Sequence, residues 1–132
     1  MRIVLCFCIG CCLATATVWG DEIDASLEVI QQVGPLGEAA PAAEAAWKKL
    51  AAVELPALPR LLAALDTANP LAANYIRSAV EAAVQRRLAQ GEKLPVAALE
   101  TFVTSGENHP RARRFAYELL LGADPTAGDR LL

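Results

Sequence analysis

Thiols and an imidazole are the groups in this sequence best suited to chemistry, and they are few. All four cysteines lie within the first twelve residues, and Cys8 and Cys11 have the Cys-x-x-Cys spacing of metal and redox motifs. The segment around them is, however, typical of a secretion signal, because Arg2 supplies one positive charge and residues 3–18 carry none. We therefore predict no metal or redox site there, and no thiol in the mature chain.

The uncharged run is shorter than the roughly 20 residues that a membrane-spanning helix needs, and small residues suited to cleavage follow its centre. Ala16 and Gly20 are both reasonable cleavage points. We favour Gly20, because the first acidic residues, Asp21 and Glu22, follow it directly. The sequence thus predicts a signal peptide over residues 1–20 and an exported protein, located in the periplasm or outside the cell.

Attachment to a membrane is expected only through an uncleaved signal or through lipidation at Cys11, which follows Ile9-Gly10. The residue three before Cys11 is Cys8 and not the usual leucine, which disfavours lipidation. Removing Arg2 with the signal takes the formal net charge from −3 to −4. This acidic balance disfavours nucleic acid as a partner.

His109 is the only histidine, and it precedes Pro110 at what looks like the start of a helix. Metal sites need several converging ligands, and none is spaced to join it. The sequence also lacks a serine nucleophile elbow, a glycine-rich phosphate loop and a recognisable pair of catalytic carboxylates. We therefore expect no enzyme activity, no cofactor and no metal.

Proline and glycine indicate where helices begin and end. Asn69-Pro70, His109-Pro110 and Asp124-Pro125 each pair a possible N-cap with proline in the first turn, where its missing N–H costs nothing. Gly91 and Gly122 are typical stops. With apolar residues at helical spacing between these points, the sequence predicts six helices and the start of a seventh. The predicted segments are 22–33, 41–53, 56–66, 70–89, 95–104, 110–121 and 125–132.

The composition, 55% hydrophobic and 20% charged, predicts one folded domain over residues 21–132. Short connections favour antiparallel packing of consecutive helices. Trp47 and Tyr75 could be recognition aromatics, but both fall on apolar stripes, which favours a place in the core. The pairs Arg77–Glu81 and Arg114–Glu118 have the i,i+4 spacing of ion pairs on a solvated helix face.

The helical pattern recurs. Leu55-Pro56 and Leu94-Pro95 are 39 positions apart, and Pro70 and Pro110 are 40 apart, with Tyr75 matching Phe115 at the same offset. A helix pair repeated about every forty residues is the period of HEAT and armadillo arrays.

The chain resembles the exported HEAT-repeat proteins of planctomycete-type bacteria. The resemblance implies an all-α fold, a short right-handed α-α superhelix of HEAT-like antiparallel helix pairs. Because residues 129–132 lie inside a helix that has only just begun, whose leucines would have little to pack on, we expect a domain that continues past its C-terminal end or is truncated there. The resemblance covers most of residues 35–132, and these are scaffold residues without a catalytic signature. The segments that carry it are Ala45–Leu50, Leu58–Asp66, Asn69–Ile76, Leu94–Leu99, Pro110–Arg114 and Ala123–Pro125.

Two groups of residues are candidates for contact with a partner. The first lies in two equivalent inter-helix turns and comprises Asp66, Asn69, Glu107 and Asn108. Capping and turn chemistry explain these residues equally well.

The second group is basic and comprises Arg111, Arg113 and Arg114, which Arg86 and Arg87 of the preceding long helix could join in one patch. Solvated helix faces explain such charge runs in most proteins.

The function expected from these features is a non-catalytic, exported helical-repeat module for protein–protein binding or scaffolding, with a protein or peptide partner. An alternative is the N-terminal helical region of a larger exported enzyme whose catalytic domain lies beyond Leu132. A third hypothesis is a structural bundle that oligomerises through its last helix.

Overall fold

The computed structural model describes residues 15–131, and within that range it is entirely helical and without a strand, with 71% of residues in helices. The prediction of an all-α fold is confirmed. None of the described helices combines the length and the apolarity needed to cross a membrane. The elements are α1 (Thr15–Gln31), α2 (Ala40–Leu50), a 3₁₀ turn (Leu55–Ala57), α3 (Leu58–Ala63), α4 (Pro70–Ala89), α5 (Val96–Thr104), α6 (Pro110–Ala123) and α7 (Ala127–Leu131).

The first helix begins earlier than the predicted residue 22. It starts at Thr15 and continues without a break through Gly20, so the favoured cleavage point lies inside α1. Removal of residues 1–20 stays a prediction, and Cys11 with the other cysteines lies outside the described residues. The part of α1 that follows Gly20 carries the buried side chains Leu27 and Ile30.

Proline explains two further differences from the predicted boundaries. The segment predicted as one helix over 56–66 is a 3₁₀ turn followed by α3, which places Pro59 within the first turn of the α-helix proper. Pro125 was predicted to open the last helix, but α7 begins at Ala127. The reason is local: the Asp124 carboxylate accepts from the Thr126 backbone N–H at 2.9 Å and holds a turn before the helix.

The helices form three packed pairs, α1 with α2, α3 with α4 and α5 with α6. The predicted contact between helices joined by short connections is confirmed within these pairs. The pairs are joined to one another because α4 also packs on α1 and α2, while α3 packs on α5 and α6.

The centre of the core is α3 with the preceding 3₁₀ turn. The four leucines of these two elements, and Leu65 just after them, are all almost completely buried, at 1% exposure or less: Leu55, Leu58, Leu61, Leu62 and Leu65. A helix of six residues is unstable in isolation, because too few hydrogen bonds form to offset the ordering of its backbone. We infer that α3 is helical because its neighbours bury it.

The last helix also packs onto the core. Ala127 is completely buried, and Leu131 is partly buried against the same core. Arg130 donates to Glu100 on α5 at 2.7 Å and to Asp124 at 2.8 Å. Hydrogen bonds from Thr126 and Arg130 lower the pKa of Asp124, so this carboxylate is ionised at neutral pH. α6 runs to Ala123, two residues past the predicted end at residue 121.

Gly91 ends α4 in a left-handed conformation, with φ of +84°. The Gly91 N–H donates to Leu88 O and the Glu92 N–H donates to Arg87 O, both at 3.0 Å. These two bonds form a Schellman motif, which satisfies carbonyl groups at the helix end and requires a residue that tolerates positive φ. The predicted stop at Gly91 is confirmed.

Gly91→Ala should therefore lower the free energy of unfolding by about 1 kcal/mol, since an L side chain is strained in this conformation. An added Cβ would meet no atom within 4 Å, so the cost is conformational. Gly106→Ala is the matched control, because Gly106 also has open space but no positive φ, and it should change stability by less than about 0.5 kcal/mol. Urea denaturation measures both, and equal effects would contradict the C-cap assignment.

The repeat partners Tyr75 and Phe115 differ in burial. Phe115 is 2% exposed and lies under the guanidinium of Arg77, whose carbon is 4.2 Å from the ring centre, whereas Tyr75 is only partly buried.

Phe115→Ala should cost about 3–5 kcal/mol of stability, as other buried aromatic truncations do. Tyr75→Ala should cost clearly less, because part of its ring is already in water. Thermal unfolding of the two variants tests this order. A Tyr75 variant as unstable as the Phe115 variant would show that the two positions pack alike.

Candidate functional site

The polar turns singled out from the sequence hold the helix pairs together. Asn69 caps α4, because its side-chain oxygen accepts from the Ala72 N–H at 2.9 Å. Its amide nitrogen donates to the carbonyls of Gln31 and Val33 at the end of α1, at 3.4 and 3.3 Å. One side chain thus closes two helix ends, one from each of two neighbouring pairs.

The second polar turn lies beside the first. Asp66 accepts from the backbone N–H of His109 at 3.3 Å, so the two turns predicted to be equivalent are in contact. Asn108 donates to Phe102 O, within α5, at 2.9 Å. Glu107 is exposed, and its backbone N–H donates to Ser105 Oγ at 3.4 Å.

His109 has the capping role that its position predicts. Its Nδ1 accepts from the Arg111 N–H at 3.1 Å at the start of α6. Residues 15–131 contain no group of three or more His, Cys, Asp or Glu side chains placed to hold a metal ion.

Arg111 is partly buried and donates hydrogen bonds to backbone carbonyls of a neighbouring segment. Its Nη2 donates to the carbonyls of Leu65 and Ala68, in the turn between α3 and α4, the second at 3.0 Å. Its Nε is buried and lacks a hydrogen-bond partner among the described residues. A charged donor from α6 thus satisfies two carbonyls of the turn between α3 and α4, and such charge-assisted hydrogen bonds are stronger than neutral ones.

Arg113 and Arg87 also donate to backbone carbonyls of neighbouring segments, at other contacts between helices, which we call joints. Arg113 Nε donates to Val103 O at 2.6 Å, near the end of α5. Arg87, on α4, donates to Ala52 O at 3.0 Å and to Val53 O at 3.3 Å, just after α2. Three of the arginines considered for a common basic patch therefore donate to three different segments: the turn between α3 and α4, the end of α5 and the residues just after α2.

The remaining arginines on these helices lie at the surface. The Arg114 side chain is 82% exposed and pairs with Glu118 at 3.1 Å, as predicted. The predicted Arg77–Glu81 pair is wrong, because Arg77 reaches across to Glu118 on α6 at 3.1 Å and stacks over Phe115. Of the seven residues predicted to contact a partner, Glu107 and Arg114 are the most available, and the prediction for all seven stays a prediction.

Replacing Arg111 or Arg113, which donate to carbonyls of neighbouring segments, should destabilise the fold, while replacing the surface residue Arg114 should not. Arg111→Ala and Arg113→Ala should each cost about 1–3 kcal/mol, because each leaves partly buried carbonyls without a donor. Arg114→Ala should stay within about 0.5 kcal/mol, since exposed ion pairs contribute little. Chemical denaturation of the three variants tests this. A stable Arg111→Ala variant would contradict the structural role and return Arg111 to the candidate contacts.

A groove between α2 and α4 has a different character. It encloses about 480 Å³ and is lined by side chains from two neighbouring helix pairs. The lining residues are Ala40, Pro41, Glu44, Trp47, Tyr75 and Ser78. Trp47 and Tyr75, expected to be core residues, are only partly buried: they pack against the core and also line this groove.

Hydrogen bonds fix the aromatic wall of the groove. Trp47 Nε1 donates to Ser78 Oγ at 2.7 Å, and Ser78 Oγ donates to the Tyr75 carbonyl at 3.1 Å. The indole ring is thus tied to the helix that carries Tyr75. Aromatic side chains held rigidly at a surface lose little freedom on binding, which favours recognition.

The groove carries one negative charge among its lining residues, that of Glu44. This carboxylate pairs with Lys48 at 2.8 Å, with both side chains 67% exposed. The Lys48 hydrogen bond and charge lower the pKa of Glu44, which therefore stays ionised at neutral pH. The sequence contained a partial signal for this site, since Glu44 lies three residues before Trp47 and Ser78 three residues after Tyr75, each pair on one helix face. The contact between the two helices could not be deduced from that spacing.

No family model, no curated protein and no solved structure matches this chain. The local geometry of the joints and of the α2/α4 groove therefore carries the functional argument.

Proposed function

We propose that this protein is a non-catalytic helical-repeat module of the HEAT type that is exported and holds another protein or peptide. The observation that carries the proposal is the α2/α4 groove, where Trp47, held by its hydrogen bond to Ser78, and Tyr75 from the neighbouring helix pair form an aromatic surface. Ligand sites combine apolar walls with a few placed polar groups, and the groove has this composition.

The repeat assignment is supported by residues forty positions apart that have the same role. Asn69 and His109 both accept a backbone N–H at the start of a long helix, and each is followed by proline. Ala72 and Ala112, one turn further on, are both completely buried. Export is supported by the signal-like composition of residues 1–20, and the binding role by the aromatic rings and the carboxylate that line the groove.

Site-specific photo-crosslinking in an envelope extract of the source organism tests the binding role. A benzophenone amino acid at Ala40, on the groove, should crosslink one dominant partner. The same amino acid at Gln85, which is exposed on α4 and does not line the groove, should not. Equal yields at both positions, or no adduct at Ala40, would contradict a partner in this groove.

A further inference from the structure

We infer that the α2/α4 groove receives a lysine or arginine side chain from a basic peptide segment of the partner, with Trp47 and Tyr75 as its aromatic walls and Glu44 as its counter-charge. The inference rests on the proposed binding function and specifies the chemistry of the occupant.

The aromatic walls favour a cationic side chain over a neutral apolar one. The faces of indole and phenol rings carry negative electrostatic potential and attract ammonium and guanidinium groups. The same attraction operates within this protein, where the Arg77 guanidinium lies 4.2 Å from the centre of the Phe115 ring. Trp47 provides the stronger of the two groove faces, and its bond to Ser78 holds the ring in place.

The charges around the groove also favour a cation. Glu44 is the charged lining residue, and Glu81 lies one turn beyond Ser78 on the same side of α4, where it is exposed. Arg77, the cation nearest in sequence to this stretch of α4, is engaged with Glu118 and Phe115 on α6. With a formal net charge of −3, the whole chain attracts basic partners and repels acidic ones.

In the free protein, Glu44 forms a weak ion pair with Lys48. The Lys48 ammonium pairs with Glu44 at the surface, and pairs between such exposed side chains contribute little. Lys48 does not itself line the groove. A partner's cation that also contacts the aromatic walls therefore competes well for the Glu44 carboxylate.

Peptide titration tests the inference, with Trp47 fluorescence as the signal in a Trp19→Phe background, where Trp47 is the only tryptophan. The probes are Gly/Ser decapeptides that carry three arginines, three lysines or three norleucines. The arginine and lysine peptides should bind at least about five-fold more tightly than the norleucine peptide, which matches lysine in its aliphatic part but lacks the charge.

Two variants separate the counter-charge from packing. Glu44→Gln keeps the shape and should weaken binding of the arginine peptide about five-fold, whereas Lys48→Gln removes the competitor and should strengthen it. Circular dichroism confirms that both variants are folded. Equal affinity for arginine and norleucine peptides, or an unchanged affinity in Glu44→Gln, overturns the inference.

The outcome is distinguishable from failure of the binding role. Crosslinking at Ala40 together with tight norleucine binding would leave the binding function in place and show an apolar occupant. Crosslinking at Ala40 without binding of either basic peptide overturns the inference in the same way. Absence of both crosslinking and peptide binding contradicts the inference and the proposed function together.

Discussion

The fold depends on the burial of one short helix. α3 has six residues and little stability of its own, yet Leu58, Leu61 and Leu62 are completely buried because α4, α5 and α6 pack around it. The α5/α6 pair packs on this helix, whereas the α1/α2 pair joins the rest of the core through α4. Arg111 from α6 holds the turn that follows this helix, because it donates to the carbonyls of Leu65 and Ala68. Apolar burial of α3 and the Arg111 hydrogen bonds to the turn that follows it therefore stabilise the same region of the fold.

Apolar burial and hydrogen bonds between segments hold the other helices together in the same way, and this explains where binding can occur. Asn69, Arg87 and Arg113 donate hydrogen bonds to carbonyls of neighbouring segments, so these polar groups make the helical framework more rigid. A stiff frame fixes α2 against α4, and this fixes the distance between Trp47 and Tyr75. Pre-organisation of this kind lowers the entropic cost of binding. The groove is thus a consequence of the frame, and its aromatic walls and its Glu44 carboxylate give it chemical preference.

The sequence predicted local features well and long-range ones poorly. The start of α4 followed from Asn69-Pro70 and its end from Gly91, because caps and stops depend on neighbouring residues. The start of α7 was misplaced, since the Asp124 side chain stabilises a turn that competes with the proline signal. The role of Arg111 and the pairing of Arg77 with Glu118 depend on which helices touch, and helical spacing contains no such information. Trp47 was assigned to the core for the same reason: a stripe gives the buried face but not the edge where burial stops.

Native-state hydrogen exchange of α3 tests the central claim most directly. The amides of Ala64 and Leu65, which donate to Arg60 and Leu62 at the end of this helix, should exchange only through global unfolding, with the same free energy as the slowest amides of α4. That result is expected if the packing of the α5/α6 pair on the rest of the core depends on α3. Exchange of these two amides through local opening, at a free energy well below that of α4, would show that the pairs hold together without α3 and would contradict the account.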